Sequence, residues 1–458
     1  MTNTRSLTLI VLFILVAYAP KSAAINMTKR IDGYSCNKDQ IRYLTLLAKN
    51  LKNPNARILN FCSSQRLKPS STKQNQRKIG VILPLKGSMN AVGIAVKNGI
   101  EKAINKKNLR DTIIIVRQDN TNLNLLDKTI ARMVLTEQVS VLVGGISTKT
   151  ASRIKYWSQN IGVPSILFSG KVSISPKENH VFKITPDPKD LTDALAKEAL
   201  SRGYKTIAAL TPNNTKEYDL VPLIVNSFES NKIKLVRTAH YNPTNYESME
   251  LAARTLMHLK PQDRPQELTD LMRKKRLEAS LAKKQFNPHM ISLLPKIDFD
   301  AIFISDHFRN VKYFVKIFKY LGAKKTPLFG NHQWRSQTLL KPFDRYLNHS
   351  FFYDFIGRYD QLPRDLNAPN SKSPYFTEPS DAQSLDYEIM GYRSVEIASR
   401  ALRSYYSTAQ LWKALELVQD KKSRFFPHGY AFKKNHYARW PKHIISLIDG
   451  RPNLYRVK

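Results

Sequence analysis

The sequence predicts an α/β protein built as two doubly wound lobes with a ligand cleft between them. Three observations carry this. Buried-type strands alternate with amphipathic helices twice in succession, over 79–169 and again over 188–330. The stretches Lys78–Leu85, Val139–Thr148 and Val163–Gly170 each run into Gly, Ser or Thr before a helix. Small polar groups and helix N-termini thus collect at one edge of a parallel sheet, where α/β proteins hold small ligands. Finally, 458 residues suffice for two domains with a large core.

In chain order, residues 1–24 read as a secretory signal. Arg5 supplies the positive start, Leu7–Ala17 is an apolar run too short to span a bilayer comfortably, and Ser22-Ala23-Ala24 offers small residues for cleavage near Ala24. An uncleaved anchor is the alternative. Residues 25–77 read as a small helical N-terminal unit, with an amphipathic helix over 40–51 and a polar linker over 68–76 closed by Arg77. The chain has two cysteines, Cys36 and Cys62, both in this unit. Export favours a disulfide between them over two free thiols, and the region offers too few ligands for zinc. Neither cysteine falls in the two lobes, so the body from residue 78 onward is expected to fold without the bond.

The first alternating set is strand 79–85, helix 89–106, strand 112–118, helix 124–137, strand 139–144, helix 149–160 and strand 165–169. The second is helix 188–202, strand 206–211, helix 216–230, strand 233–238, helix 246–259, strand 301–305, helix 309–321 and strand 327–330. Residues 261–296 interrupt it with a basic amphipathic helix over 271–284, either a grip for an anionic partner or a solvated helix. Residues 361–380 read as a loop, a long helix follows at about 382–406, and 444–448 and 454–457 form a hairpin around Asp449-Gly450. Lobe one is then 78–185 with about 345–425, and lobe two 186–344 with about 426–458.

Lys and Arg number 73 against 36 acidic residues, a formal charge of +37. Export argues against nucleic acid, and no zinc-finger or RNA-binding signature appears. An anionic envelope surface is the partner this charge suggests, a solvated basic face being the alternative. Gly144-Gly145-Ile146-Ser147-Thr148-Lys149 lacks the Gly before Lys that a phosphate loop requires. There is no Gly-x-Ser-x-Gly elbow and no His-Glu-x-x-His. The sequence therefore predicts no catalytic residue, metal or cofactor. His307 and His332 follow strand ends as polar site lining or ordinary loop residues.

Ile79–Gly87, Val143–Ser147, Val163-Pro164 and Val181–Asp187 together resemble the type I periplasmic binding proteins of the leucine/isoleucine/valine-binding kind, and the likeness runs in order from about 78 to 455. Leu294–Ile304 followed by Leu328–Trp334 is similar to the penicillin-binding-protein activators, which share that fold and regulate cell-wall synthases. The resemblance implies a periplasmic Venus flytrap. Its lobes would close on a small amino-acid-like or anionic ligand, for delivery to an ABC permease or for sensing. The activator likeness implies contact with a cell-wall synthase instead. The resemblance sets Ser147 and Thr148 at the ligand carboxylate, with Ser169 and Gly170 in the next loop. Asp187 would face an ammonium, and Tyr218 and Asp306 would come from lobe two. Met89 stands where the family has an aromatic, and Lys171 where it has a hydroxyl. A lysine repels an ammonium, which points to an anionic ligand. Simple helix capping is the other account of Ser147 and Ser169.

Overall fold

The computed structural model describes residues 36–64, 77–213, 221–355, 379–419 and 430–456, except 106–108, 110–111, 120–121, 176, 289–290, 324, 337–338, 340–341, 405–409 and 450. The segment read as a signal, Tyr218 and residues 361–378 of the loop expected over 361–380 lie outside them; Pro379 and Ser380 begin a helix. The chain divides into two compact units. One holds the residues up to Ile184, Gly391–Val418 and Ala431–His436; the other holds Thr185–Met390, Gln419–Tyr430 and Tyr437 onward.

The first lobe opens with α1 (Lys38–Ala48) and α2 (Pro54–Ser64). Then come β1 (Arg77–Leu83), α3 (Asn90–Asn105), β2 (Thr112–Gln118), α4 (Leu123–Ala131), β3 (Val141–Gly144), α5 (Thr148–Ile161), β4 (Ser165–Leu167) and β5 (Val181–Lys183). Its sheet has the order β2-β1-β3-β4-β5 and every pairing is parallel. β3, β4 and β5 are buried along their whole length, as strands covered by helices on both faces must be. The single helix expected over 124–137 is α4 followed by a π-helical turn, Arg132–Thr136.

The N-terminal helices are not a separate unit. Cys36 and Cys62 form a disulfide. Both sulfurs sit in one apolar cluster with Ile41, Leu44, Leu126, Met133, Ile154 and Trp157. Asn37 caps α1, and Arg57 donates to the Thr136 hydroxyl beyond α4. The reading that set both cysteines outside the lobes fails here. The apolar face of α1 is too short to form a core alone, and it finds one on the outer side of α4 and α5.

The second lobe contains α6 (Pro188–Ser201), β6 (Thr206–Pro212), α7 (Val221–Glu229), β7 (Lys234–Tyr241), α8 (Tyr246–Leu256) and α9 (Pro265–Leu281). β8 (Ala301–Ile304), α10 (Phe308–Tyr320), β9 (Leu328–Gly330) and β10 (Phe351–Asp354) follow, and β11 (His443–Ile448) and β12 (Arg451–Arg456) close it. The sheet order is β12-β11-β10-β9-β8-β6-β7, with β6 to β10 parallel and the terminal hairpin antiparallel. β10 overturns the assignment of residues 345–390 to lobe one. Phe351-Phe352-Tyr353-Asp354 is too short to stand out as a strand, yet it pairs with β9 on one side and β11 on the other. The long helix α11 (Pro379–Ser404) starts in this lobe and enters the first at Gly391, and α12 (Leu411–Leu417) belongs to the first lobe.

Candidate functional site

At the carboxyl edge of the first sheet, β3 ends at Gly144. Gly145 then turns with φ +72°, and a Cβ there would lie 2.6 Å from the Ala151 Cα, so only glycine lets the loop fold back over α5. Ser147 caps α5: its Oγ accepts the Thr150 N–H at 3.2 Å and lies 2.9 Å from the Thr150 hydroxyl. The N–H groups of Thr148 and Lys149 open the helix and have no acceptor within it. Buried Asp119, just after β2, reaches the same place. The Thr150 hydroxyl hydrogen-bonds its carboxyl, while burial pushes its pKa up. Sequence reasoning passed over Asp119, although its place directly after strand 112–118 puts it at this edge.

The next loop follows β4. Ser169 is buried and its N–H donates to the Gly145 carbonyl at 2.9 Å. The carbonyls of Gly170 and Val172 accept from the Lys183 ammonium at 2.8 and 2.6 Å. Lys171 itself is exposed. The buried cation at this loop is Lys183 of β5, fully shielded and working as a brace. Its position inside a three-residue strand hid it from the alternation pattern. Ser147, Thr148, Ser169, Gly170 and Lys171 thus share one edge of one sheet.

At the carboxyl edge of the second sheet, Asp306 follows β8. One of its oxygens accepts from the Tyr241 hydroxyl at 2.6 Å and from Asn310 Nδ2 at 2.7 Å, and the other from the His307 N–H at 2.6 Å. Burial, reinforced by that carboxylate, keeps the Tyr241 hydroxyl protonated. Asp187 caps α6, accepting the Lys189 N–H at 3.0 Å, and is buried. Asp187, expected to face an ammonium, and Asp306, expected from lobe two, are therefore both engaged within their own lobe.

The same edge holds a buried ionic cluster that sequence reasoning missed. Arg335 donates to Asp386 at 2.7 Å and to Asp354, the last residue of β10, at 3.0 Å. Burial, against the pull of Arg335, pushes the Asp386 carboxyl up to about 6. Burial and Arg335 push half-buried His332 down to about 4. The three charged partners are far apart in sequence, so no spacing signals them. Among the described residues, no group of three or more His, Cys, Asp or Glu side chains could hold a metal ion. No helix among them is long and apolar enough to cross a membrane.

Residues 76–262 match the family model described as periplasmic binding protein. No curated protein sequence matches the chain. Among solved structures, the chain is similar to a putative branched-chain amino acid ABC transporter protein from Rhodospirillum rubrum, at 14% identity over 83% of this chain and 99% of that one, with a TM-score of 0.58. It is similar to a solute binding protein of an ABC transporter from Rhodopseudomonas palustris in complex with p-hydroxybenzoic acid, at 12% identity, 83% and 97% coverage and a TM-score of 0.55. The branched-chain amino acid transporter substrate binding protein of Streptococcus pneumoniae, in complex with isoleucine, is similar at 15% identity, 84% and 100% coverage and a TM-score of 0.52.

Proposed function

From the type I periplasmic binding protein fold that this chain carries, we propose a non-catalytic periplasmic solute-binding protein that captures a small organic carboxylate for an ABC permease or a sensor. The observation behind the ligand class is the first turn of α5. The Thr148 and Lys149 N–H groups and the positive end of the helix suit a carboxylate, and the Ser147 hydroxyl is spent on the cap. A carboxylate without an ammonium is the better match, because Asp306 already accepts three hydrogen bonds and Asp187 caps α6, which leaves each with less acceptor capacity for an ammonium. Of the two ligands held by similar proteins, hydroxybenzoate fits this description and isoleucine does not.

The test is thermal unfolding with benzoates, dicarboxylates and branched-chain amino acids. A carboxylate at a hundred times its Kd stabilises the folded protein by about 2.7 kcal/mol. Thr148→Pro removes one donor at the first helical position, where proline is tolerated and where Ser147 already has extended backbone. We expect it to weaken carboxylate binding roughly 10- to 100-fold, the worth of a hydrogen bond to a charged group. Stabilisation by isoleucine alone would sink the carboxylate-only reading. Absence of any shift, together with capture of a cell-wall synthase, would replace solute binding with protein contact.

A further inference from the structure

The interruption between α8 and β8 forms a helix unlike the rest. α9 has no buried residue along its 17 positions. Leu268 packs partly against the core of the lobe, and Leu271, Met272 and Ala279 are half-buried on the same side. Arg264 holds its start, donating to the Leu294 carbonyl at 2.7 Å and to Glu267. Near its end, Arg276 stacks over Phe286 at 5.1 Å.

The opposite face carries what a solvated helix does not need. Leu277 and Leu281, one turn apart, are 62% and 78% exposed. At 100° per residue, Arg273, Asp270 and Lys274 lie on the same outward side, and exposed Lys284 follows just beyond the end of the helix. The acids of the helix are already occupied or outnumbered. Glu267 pairs with Arg264, Glu278 with Lys275 at 2.7 Å, and Asp270 lies 3.9 Å from Arg273. Exposed leucines between cations that reach upward are the pattern of a helix lying in a bilayer interface.

We propose that the outward face of α9 docks on an anionic phospholipid bilayer. The choice of a bilayer over an acidic protein groove rests on charge. A groove requires matched local charges, whereas this chain carries +37 overall and meets a diffuse plane of negative charge favourably in many orientations. α9 then sets the orientation by inserting Leu277 and Leu281. This goes beyond solute capture and does not depend on it.

The test is co-sedimentation of the purified protein with phosphatidylcholine vesicles, with and without roughly one-third phosphatidylglycerol, at low and physiological salt. Wild type is expected to sediment only with the anionic vesicles, and less at higher salt. Arg273→Ala/Lys274→Ala/Lys284→Ala is expected to lower partitioning roughly a hundred-fold. Leu277→Ser/Leu281→Ser is expected to lower it roughly ten-fold or more while leaving the salt dependence in place. Both variants should melt like wild type, because no side chain of α9 is buried and Lys284 is exposed. Wild type remaining in the supernatant would overturn the proposal. So would variants that sediment like wild type, which would assign binding to the basic surface at large. Retention by an acidic protein without vesicle binding would overturn it in favour of a groove.

Discussion

Arg335 sits where two carboxylates would otherwise be stranded. With Asp354 fully buried and Asp386 nearly so, Arg335→Ala leaves uncompensated charge inside the lobe. The expected cost is about 3–5 kcal/mol in urea unfolding, and a loss under 1 kcal/mol would show that water reaches the cluster. His332 and Asp386 act on stability in opposite senses. Asp386 is raised from 3.8 to about 6, so the folded state holds its proton longer and that contribution is lost as pH rises through this window. His332 is lowered from 6.5 to about 4, so its contribution is lost as pH falls through that window. Each is worth on the order of 3 kcal/mol, and between pH 4 and 6 they offset one another. Asp386→Asn should unmask the histidine. Relative to wild type, the variant's stability should climb from pH 4 to 6.5, read from urea midpoints at steps across that range. A parallel pair of profiles would refute the offset.

The N-terminal helices show how an element changes meaning once packed. α1 and α2 are short, and joined by a linker they suggest an appendage. Packed on α4 and α5 they close one side of the lobe-one core, with Cys62 fully buried there. Cys36→Ser/Cys62→Ser should therefore destabilise the whole first lobe. The loss of about 3 kcal/mol expected for a bridge across 26 residues should appear in the lobe's main unfolding transition. A separate, minor early transition would restore the appendage view. A second element-level constraint lies where α11 enters the first lobe. A Cβ on Gly391 would stand 2.3 Å from the Val96 carbonyl oxygen of α3. Gly391→Ala should cost about 1–3 kcal/mol through overpacking, despite the better helix propensity of alanine. A gain in melting temperature would show that the two helices part freely.

At the scale of the whole molecule, the net charge of +37 is a source of self-repulsion in the compact state. Raising salt from about 20 to about 200 mM shortens the screening length from roughly 20 Å to roughly 7 Å. The melting temperature should rise over that range. A fall would mean that ion pairs such as Arg153–Asp127, and others that salt also weakens, outweigh the long-range repulsion. The same screening should reduce vesicle binding, so salt is expected to act oppositely on stability and on surface attachment.

The fold class was written in the sequence because its signals are local. Apolar runs ending in Gly, Ser or Thr mark parallel strands wherever they occur, and 78–169 and 188–330 repeat them often enough to define both sheets. Ser147 and Thr148 could be placed at a sheet edge for the same reason: a cap, a strand end and a helix start lie within a few residues. Tertiary structure alone decided the rest. β10 is four residues long and gains its strand character from β9 and β11. Lys183 became a brace because the 170–172 loop turns its carbonyls toward it. The Arg335 cluster draws on positions 335, 354 and 386, and Asp306 is occupied because Tyr241 comes from another strand. Such partners lie far apart along the chain, and the burial that fixes their charge exists only after the sheet has formed.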